Sequence, residues 1–418
     1  GPRARTPRQA DFYARIAEKW GKRIDQLPTA HLIVISPHNS NITGEFTEAF
    51  VLHHALSHGR RVHVNWVDQG GSTADYLFLR QQFDRRGEAG IDVVWGGGEI
   101  IFQRMADADM LQPMTLSETA RANIPRMLGG IAMYDPNGLW CGSAVSGFGI
   151  LCDARMLRRL EIEPPSTWQD LARSELFDLV ALADPNRSGS AVATFEMIVQ
   201  SADGWQAGWA RLLDILANAR RFHDGATEAA DAPIDGAPVA TCVDFYGTNR
   251  VAFYPDRLRY VSPRGQTGFN PDPIAILRRA PHPEIARHFV DFVLSRKGQA
   301  LLALPVGAED GPVENVIGRQ PVRRDVYTAC ADRMLPWIVN PFDEADRMDI
   351  DVSMRKLRFD VLRKLVAAAA VDNFEALKAA RRLEQVGSNE PDAPRVEIEL
   401  REKGTDKVHI YDAWAWES

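Results

Sequence analysis

The sequence is poor in the features that mark several classes of protein. Its four cysteines form no CxxC pair and no zinc-ligand spacing among 418 residues, which argues against a disulfide-rich or zinc-stabilised fold. It contains no run of about 18 apolar residues, so no transmembrane helix is predicted. Basic residues number 49 against 56 acidic ones, a net charge of −7. Because nucleic-acid binding usually needs a basic patch, no nucleic-acid partner is expected.

Motifs for common enzyme chemistry are also missing. The sequence has no GxSxG, GxxxxGK[ST] or HExxH, and no GxGxxG that opens a helix after a strand. This argues against an α/β-hydrolase nucleophile, a phosphate-binding loop, a zinc protease and a dinucleotide fold. A phosphatase acting at His38 and Asp244 is an alternative, but no nucleophile–base pair is visible. The sequence therefore predicts neither an enzyme nor a bound cofactor.

The cysteines and the first residues leave the compartment open. Cys141 and Cys152 are close enough in sequence for one disulfide, and isolated buried thiols are an equal alternative. Gly1-Pro2 with no initiator Met is typical of a start left by a protease. A signal segment is therefore expected to have been removed.

Apolar runs alternate with helical patterns along the first hundred residues. Strands are predicted at 31–35, 61–67 and 91–95, and helices lie between them, from about 43 to 58 and over 75–86. Short loops join these elements. Alternation of this kind predicts a parallel, doubly wound sheet.

The same alternation returns further along, so two α/β lobes are predicted. Strands are expected at 145–152, 179–183 and 238–245. A helix-rich stretch and a hairpin with strands at 396–400 and 408–411 follow. The predicted domains are an N-terminal helix at 1–29, a first lobe at 30–125 plus 247–300, a second lobe at 126–246 plus 301–344, and a C-terminal helical and hairpin extension at 345–418.

Four predicted strands end in loops of small polar residues, at 36–40, 95–99, 186–190 and 244–248. Ligands of open α/β sheets bind outside the carboxyl ends of strands. The loop at 186–190 also opens a helix, whose free N–H groups suit an anion. Helix caps and tight turns explain any single loop. Four loops in two lobes favour a ligand site in the cleft between them.

Three histidines stand on the second predicted helix. His54 and His58 are four residues apart, so both imidazoles could face one zinc ion, whereas His53 faces elsewhere. No acidic or thiol ligand accompanies them locally. Surface or helix-end histidines are therefore the favoured interpretation.

Several segments, in order between residues 31 and 327, carry a resemblance to a known family. The chain resembles the extracellular solute-binding proteins of ABC importers, in the ferric-iron-type branch that also holds sugar-phosphate binders and the phosphoglycerate transport regulatory protein. The segments are 34–38, 92–97, 145–150, 183–190, 204–209, 243–246, 270–275 and 289–299.

The resemblance implies a type II periplasmic-binding-protein clamshell, in which two α/β lobes close on one solute. It further implies a monomer in the periplasm or another extracytoplasmic space, which delivers the solute to an ABC permease in the inner membrane. The expected solute is a small anion, a phosphorylated sugar or organic acid. The ligand-binding residues expected are Ser36, His38, Asn39, Ser40, Trp95, Gly97, Glu99, Ser146, Ser188, Gly189, Ser190, Asp244, Phe245 and Tyr246.

Each group of these residues has an expected role. The helix start at 188–190, with the polar residues of 36–40, would hold a phosphate or carboxylate. Asp244, Glu99 and His38 would bind hydroxyl groups. The rings of Trp95, Phe245 or Tyr246 would lie against a sugar face.

Two further functions stay open. Ferric binders of this branch use an adjacent tyrosine pair where this chain has Phe245 and Tyr246. Phenylalanine offers no oxygen to a hard cation, so iron is the weaker hypothesis; its ligands would be His38, Glu99, Asp244 and Tyr246. The other alternative is a ligand sensor for a membrane kinase, with the extension at 345–418 as its contact surface.

Overall fold

The computed structural model describes residues 7–342, 347–386, 397–401 and 408–412. They divide into two units. Unit 1 holds the described residues within 1–128, 132–146 and 270–343, and unit 2 those within 129–131, 147–269 and 344–418.

The strands follow the predicted apolar runs closely in the first hundred residues and less closely afterwards. They are β1 Thr29–Ile35, β2 Arg61–Val67, β3 Val93–Trp95, β4 Leu111–Gln112, β5 Met127–Leu128, β6 Ile131–Ala132, β7 Cys141–Ser146, β8 Phe148–Asp153, β9 Val180–Ala183, β10 Ala219–His223, β11 Val239–Val243, β12 Leu258–Val261, β13 Asn270–Leu277, β14 Glu397–Arg401 and β15 Val408–Asp412.

The helices include the predicted ones and several that the pattern did not indicate, such as α4, α9 and α10. They are α1 Pro7–Trp20, α2 Ser40–His58, α3 Ser72–Arg86, α4 Glu99–Asp107, α5 Glu118–Asn123, α6 Ala154–Arg159, α7 Gly189–Gln200, α8 Trp205–Ala217, α9 Ala226–Asp235, α10 Asp244–Phe253, α11 Pro283–Val293, α12 Arg296–Ala303, α13 Arg324–Ala329, α14 Val352–Val366 and α15 Phe374–Val386.

Unit 1 is built on a mixed sheet with the strand order β2-β1-β3-β13-β4, and β7 pairs with β13. β1 runs parallel to β2 and β3, and β13 runs antiparallel to β3, β4 and β7. One face packs on Leu79, Phe83 and Phe102 of α3 and α4. Strands β3 and β13 of this sheet are almost entirely buried, as is typical of strands that helices cover, whereas several residues of β2 are exposed.

Unit 2 is built on a second mixed sheet with the order β10-β9-β11-β8-β12. β9 runs parallel to β10 and β11, and β8 runs antiparallel to β11 and β12. Leu151, Cys242 and Leu258 form part of its buried core. Each unit therefore has its own sheet and its own core, as the sequence predicts.

The boundaries of the units differ from the predicted domains. The run at 145–152 was expected to be one interrupted strand, but it forms β7 and β8, which lie in different units with the boundary between Ser146 and Gly147. The stretch at 247–269 belongs to unit 2 because β12 pairs with β8. The stretch at 301–342 belongs to unit 1, where the Val322 amide donates to Gln299 Oε1 at 2.8 Å.

The described parts of the two terminal segments pack against the units, whereas the sequence analysis treats these segments as separate domains. Ile16 of α1 packs on Leu27, Leu52 and Ala55 within unit 1. The helices α14 and α15 pack against α7 and α8 of unit 2, and the buried Arg381 of α15 donates to Asp214 Oδ1 at 3.0 Å. The described strands of the C-terminal hairpin, β14 and β15, pair antiparallel as predicted.

All four cysteines are free, buried thiols. The disulfide that the spacing of Cys141 and Cys152 allowed is not formed, since the two lie on β7 and β8 in separate sheets. Among the described helices, none combines the length and the apolar character needed to cross a membrane.

Candidate functional site

Three strands of unit 1 bring polar residues to one edge of the sheet. The parallel strands β1 and β3 end there, at Ile35 and Trp95. Because β13 runs antiparallel to β3, with Ile274 opposite Trp95, its first residues lie at the same edge. The loop after β1, the glycine loop after β3 and the start of β13 therefore meet. This is the position where open sheets bind ligands.

A group of polar side chains, here called the edge cluster, lies at this edge. His38 Nε2 is 2.7 Å from Asp272 Oδ2, and Arg319 Nη1 donates to the same oxygen at 2.6 Å. Arg319 Nη2 donates to Ser146 Oγ at 3.3 Å, and His38 Nδ1 is 3.0 Å from Ser36 Oγ. The side chains of His38, Asp272 and Arg319 are only 8%, 13% and 5% exposed. The edge cluster comprises Ser36, His38, Ser146, Asp272 and Arg319.

The hydrogen bonds assign the proton on His38. His38 Nε2 lies 2.7 Å from the Asp272 carboxylate, which only accepts, and 3.0 Å from the donor Arg319 Nη1. Because the contact with the acceptor is the shorter one, we place the ring hydrogen on Nε2. Nδ1 is then directed to the Ser36 hydroxyl. The ring is therefore held from both sides.

Asp272 is ionised at neutral pH. Burial alone would raise the pKa of its carboxyl, but the charge of Arg319 and the hydrogen bonds from Arg319 and His38 outweigh it, so the pKa lies well below its usual range. The carboxylate therefore offsets the positive charge of Arg319 and fixes its direction.

Glycines let the loop after β3 approach the edge cluster. The Gly97 amide donates to Asp272 Oδ1 at 3.0 Å. Gly96 has φ +97°, and a Cβ there would lie 3.1 Å from the His38 ring. A larger residue at Gly96 would therefore be strained and would press on His38.

The loop that carries Arg319 is fixed by a buried glutamate of α2. Glu45 accepts hydrogen bonds from the amides of Val313, Glu314 and Asn315 at 2.6–2.8 Å. Further along this loop, the Arg319 amide donates to the Leu302 carbonyl at 2.9 Å. The arginine is thus positioned by contacts far from it in sequence.

The Trp95 ring was expected to lie against a sugar face, but in the structure Trp95 is only 2% exposed. Its ring packs edge-on against His38 at 4.7 Å and against Phe46 at 4.8 Å, and its Nε1 donates to Ser143 Oγ at 2.6 Å. Trp95 supports His38 from behind.

Three other predicted residues of unit 1 stand at helix starts next to this edge. Asn39 caps α2, with its Oδ1 accepting from the Ile42 amide at 3.2 Å. Ser40, the first residue of α2, is exposed. Glu99 is buried at the first position of α4, where the positive end of the helix favours a carboxylate. Because its Oδ1 already accepts this hydrogen bond, the Asn39 side chain has less hydrogen-bonding capacity left for a ligand.

In unit 2, the predicted anion loop begins α7. Ser188 is its N-cap and its Oγ accepts from the Ala191 amide at 3.3 Å. Gly189 and Ser190 begin the helix, so their N–H groups have no acceptor within it. The neighbouring Arg187 lies at the surface, where it forms an exposed ion pair with Asp224 at 2.6 Å.

The second predicted loop of unit 2 is the start of a helix that the sequence pattern missed. The strand predicted at 238–245 ends at Val243 in the structure, and α10 begins at Asp244. Asp244 Oδ2 accepts from the Gly147 amide and Oδ1 from the Phe245 amide, both at 2.6 Å. The rings of Phe245 and Tyr246 lie 4.1 Å apart, and Tyr246 also packs on the core. Asp244 thus holds the chain at Gly147.

The structure brings Ser36, His38, Gly97 and Ser146 together, but the sequence reasoning missed the two groups that join them. Asp272 lay in a run quoted only for the family resemblance, Asn-Pro-Asp-Pro, where two prolines flank one acid at a strand start. Arg319 had no local signal, because its segment has no regular secondary structure.

Comparisons of sequence place the chain among known proteins. A family model described as bacterial extracellular solute-binding protein matches residues 91–316, which is 226 of 418 residues. A second model, described as non-histone chromosomal protein MC1, matches residues 366–418. The chain is 26% identical over 226 residues to the phosphoglycerate transport regulatory protein PgtC of Salmonella typhimurium, and the alignment covers 54% of each. The chain thus spans about half the length of the curated relatives it matches.

Solved structures share the fold. The periplasmic binding protein AfuA of Actinobacillus pleuropneumoniae, solved with fructose-6-phosphate, aligns with a TM-score of 0.66 at 16% identity, over 82% of this chain and 98% of that one. The apo ferric ion-binding protein A of Pasteurella haemolytica aligns at 0.61 and 17% identity, over 82% and 99%. At such identity the likeness shows the fold alone, and it confirms the predicted fold class.

Proposed function

Because the chain belongs to the family of bacterial extracellular solute-binding proteins, we propose that it is the substrate-binding component of an ABC importer and captures a small anionic solute. The solute class is a phosphorylated sugar or a phosphorylated organic acid. The observation that carries the proposal is the edge cluster of unit 1, a buried arginine and histidine at the end of the strands where open sheets generally bind ligands.

The edge cluster has the chemistry to recognise such a solute. A guanidinium offers several N–H groups in a plane that matches phosphate and carboxylate oxygens. Here Arg319 is buried, so its hydrogen bonds compete little with water. Asp272 and the hydroxyls of Ser36 and Ser146 add acceptors and donors for hydroxyl groups of a sugar or acid.

The start of α7 in unit 2 is a separate candidate for the anionic group. The N–H groups of Gly189 and Ser190 and the positive end of the helix suit a phosphate. Two of the matched relatives support this solute class, since one is named for phosphoglycerate transport and the other was solved with fructose-6-phosphate.

The hydrogen bonds of His38 argue against ferric iron at this residue. Its Nε2 carries the hydrogen that faces Asp272, so it has no lone pair for a metal ion, and Arg319 Nη1 lies 3.0 Å from the same atom. In unit 2, both Asp244 oxygens already accept backbone N–H groups, and Phe245 has no oxygen. Ferric iron needs several anionic oxygen ligands.

The same proposal includes a periplasmic location, a monomeric protein, an inner-membrane permease as partner, no nucleic-acid partner and no catalysis. The family model matched at 91–316, PgtC and AfuA are described as binding or transport proteins. Closure of two lobes on the solute stays a prediction from the family resemblance. The sensor role also stays a hypothesis.

Calorimetric titration tests the solute class. The protein is titrated with phosphoglycerates, hexose phosphates and the matching unphosphorylated compounds. We expect saturable binding of a phosphorylated compound, and a loss of at least about tenfold in affinity in Arg319→Ala, since a charged hydrogen bond is worth about 1.5–3 kcal/mol.

Arg23→Ala is the matched control, because it removes an arginine whose ion pair with Asp25 is exposed, and it should bind as the wild type does. Absence of binding by every phosphorylated compound, together with a charge-transfer band on addition of ferric citrate, would replace this proposal with iron uptake.

A further inference from the structure

Three histidines of unit 1 form a cluster away from the edge cluster. α2 supplies His54 and His58, and α11 supplies His288. One ring nitrogen of each lies within 4.8 Å of the others. The rings of His58 and His288 are stacked with centroids 4.0 Å apart. The spacing of His54 and His58 was visible in the sequence, but the third imidazole comes from a helix more than 200 residues later.

The hydrogen bonds of His54 aim a lone pair at the centre of this cluster. Its Nδ1 is 2.9 Å from the carbonyl oxygen of Arg60. A carbonyl only accepts, so Nδ1 carries the hydrogen and Nε2 has the lone pair. A carbonyl on the far nitrogen is the usual support of a metal-bound histidine. His54 Nε2 in turn faces His288 Nδ1 at 3.1 Å.

The separation of these two nitrogens suits a shared metal ion. Zinc–imidazole bonds of about 2.0–2.1 Å at a tetrahedral angle put two ligand nitrogens about 3.3 Å apart. The distance of 3.1 Å between His54 Nε2 and His288 Nδ1 is close to this value. The exposed His58 offers a third ring nitrogen within 4.8 Å of the other two.

Burial favours the neutral, ligating form of His54 and His288. Burial, with the charges of His58 and His288, lowers the pKa of His54 to about 4, although its bond to Arg60 acts the other way. Burial also lowers the pKa of His288. The three rings face a surface pocket that Asp291 and Ser295 also line, so an ion can reach them from solvent.

We propose that His54, His58 and His288 bind a divalent transition-metal ion of the zinc class and so join α2 to α11. Three neutral imidazoles without an anionic ligand suit Zn²⁺, Cu²⁺ or Ni²⁺ rather than hard cations such as Ca²⁺ or Fe³⁺. Three protein ligands leave a coordination position open to solvent. None of these histidines belongs to the edge cluster, so this site is independent of solute capture.

Zinc titration of tag-free, chelator-treated protein tests the site. We expect one Zn²⁺ per chain by calorimetry and a rise in melting temperature with zinc, because an ion bound only to the folded state stabilises it. Loss of a ligand should weaken zinc binding at least about tenfold. The variants are His58→Ala, which removes an exposed ring, and His288→Ala, which removes a half-buried one.

His63→Ala is the matched control, because His63 is exposed on β2 outside the cluster. Melting temperatures without zinc check that each variant folds. Wild-type protein that takes up no zinc would overturn the proposal. Zinc affinity that is unchanged in both His58→Ala and His288→Ala would also overturn it, and would make the cluster a packing contact between two helices.

Discussion

At the scale of single residues, Asp272 holds the edge cluster together. It accepts from Arg319, from His38 and from the Gly97 amide, so it ties three separate chain segments to one carboxylate. A buried arginine that loses its carboxylate leaves a charge with poor compensation. The acid is therefore as important for the site as the two groups that would face a solute.

Asp272→Asn should lower the free energy of unfolding by about 3–5 kcal/mol at neutral pH, the usual cost of breaking a buried ion pair. The pKa of Asp272 is lower in the folded state than its ordinary 3.8, so the unfolded chain takes up the proton first as the pH falls. The stability that Asp272 supplies is fully present above about pH 4–5 and is lost progressively as the pH falls from there towards the low pKa of the folded state.

Denaturant unfolding at pH 7 and at pH 3 measures this effect. The gap between wild type and Asp272→Asn should shrink at the lower pH. Asp84→Asn is the control, since its ion pair with Arg80 is exposed and should contribute about 0–1 kcal/mol. Equal costs for the two variants at pH 7 would contradict the role given to Asp272.

At the scale of elements, several of the predicted ligand residues lie at helix starts, where their side chains stabilise the helix. Asn39 and Ser188 accept the hydrogen bond of an N-cap, and Asp244 fixes the start of α10. Such residues are conspicuous in a sequence because turns and caps need them. Whether a helix start also binds an anion depends on the N–H groups that its cap leaves unused.

The variant Ser188→Asp separates helix capping from anion binding at the start of α7. Aspartate is as good a cap as serine, so stability should change little. A negative charge at this helix start should repel a phosphorylated solute and cost about 1 kcal/mol or more, about a fivefold loss of affinity. Calorimetric titration with the solute identified for the wild type measures the loss.

Ser295→Asp is the matched control. Ser295 caps α12 of unit 1, where its Oγ accepts from the Gly298 amide at 3.1 Å. It should keep the wild-type affinity. If Ser188→Asp binds as tightly as Ser295→Asp, α7 is not part of the solute site.

At the scale of the whole molecule, the C-terminal helices belong to unit 2 and do not form a detachable extension. Leu362 of α14 and Leu377 of α15 are fully buried. Arg381 donates to Asp214 and to the carbonyl of Ala172. Deletion of 345–418 would therefore damage unit 2 and cannot serve as a clean test of a sensor role.

Two leucines of α14 test this assignment. Leu362→Ala should lower the free energy of unfolding by about 2–5 kcal/mol, because it leaves a cavity in a packed core. Leu357→Ala, at a side chain that is 72% exposed, should stay within about 0.5 kcal/mol of the wild type. Denaturant unfolding of both variants decides the matter. If both variants lowered the free energy of unfolding by a similarly small amount, α14 would not be part of the core of unit 2.

Much of the fold could be predicted because its signals are local. Strand β2 lies at the predicted 61–67. Helix α2 ends at His58, where it was predicted to end, and Gly59 follows it with a φ of +65°. The start of α10 was missed, since an apolar strand runs directly into Asp244 without a turn. The division of 145–152 into β7 and β8 was missed because both strands are apolar and only their pairing separates them.

The amino-acid order alone determined the alternation of strands and helices, the family and the polar residues that follow β1 and β3, because periodicity and loop composition act over a few neighbours. Tertiary structure decided which sheet each strand joins, that Trp95 is buried, and that Arg319 meets His38 from 281 positions away. Pairing of distant segments depends on the packing of whole sheets, and no short stretch of sequence contains that information.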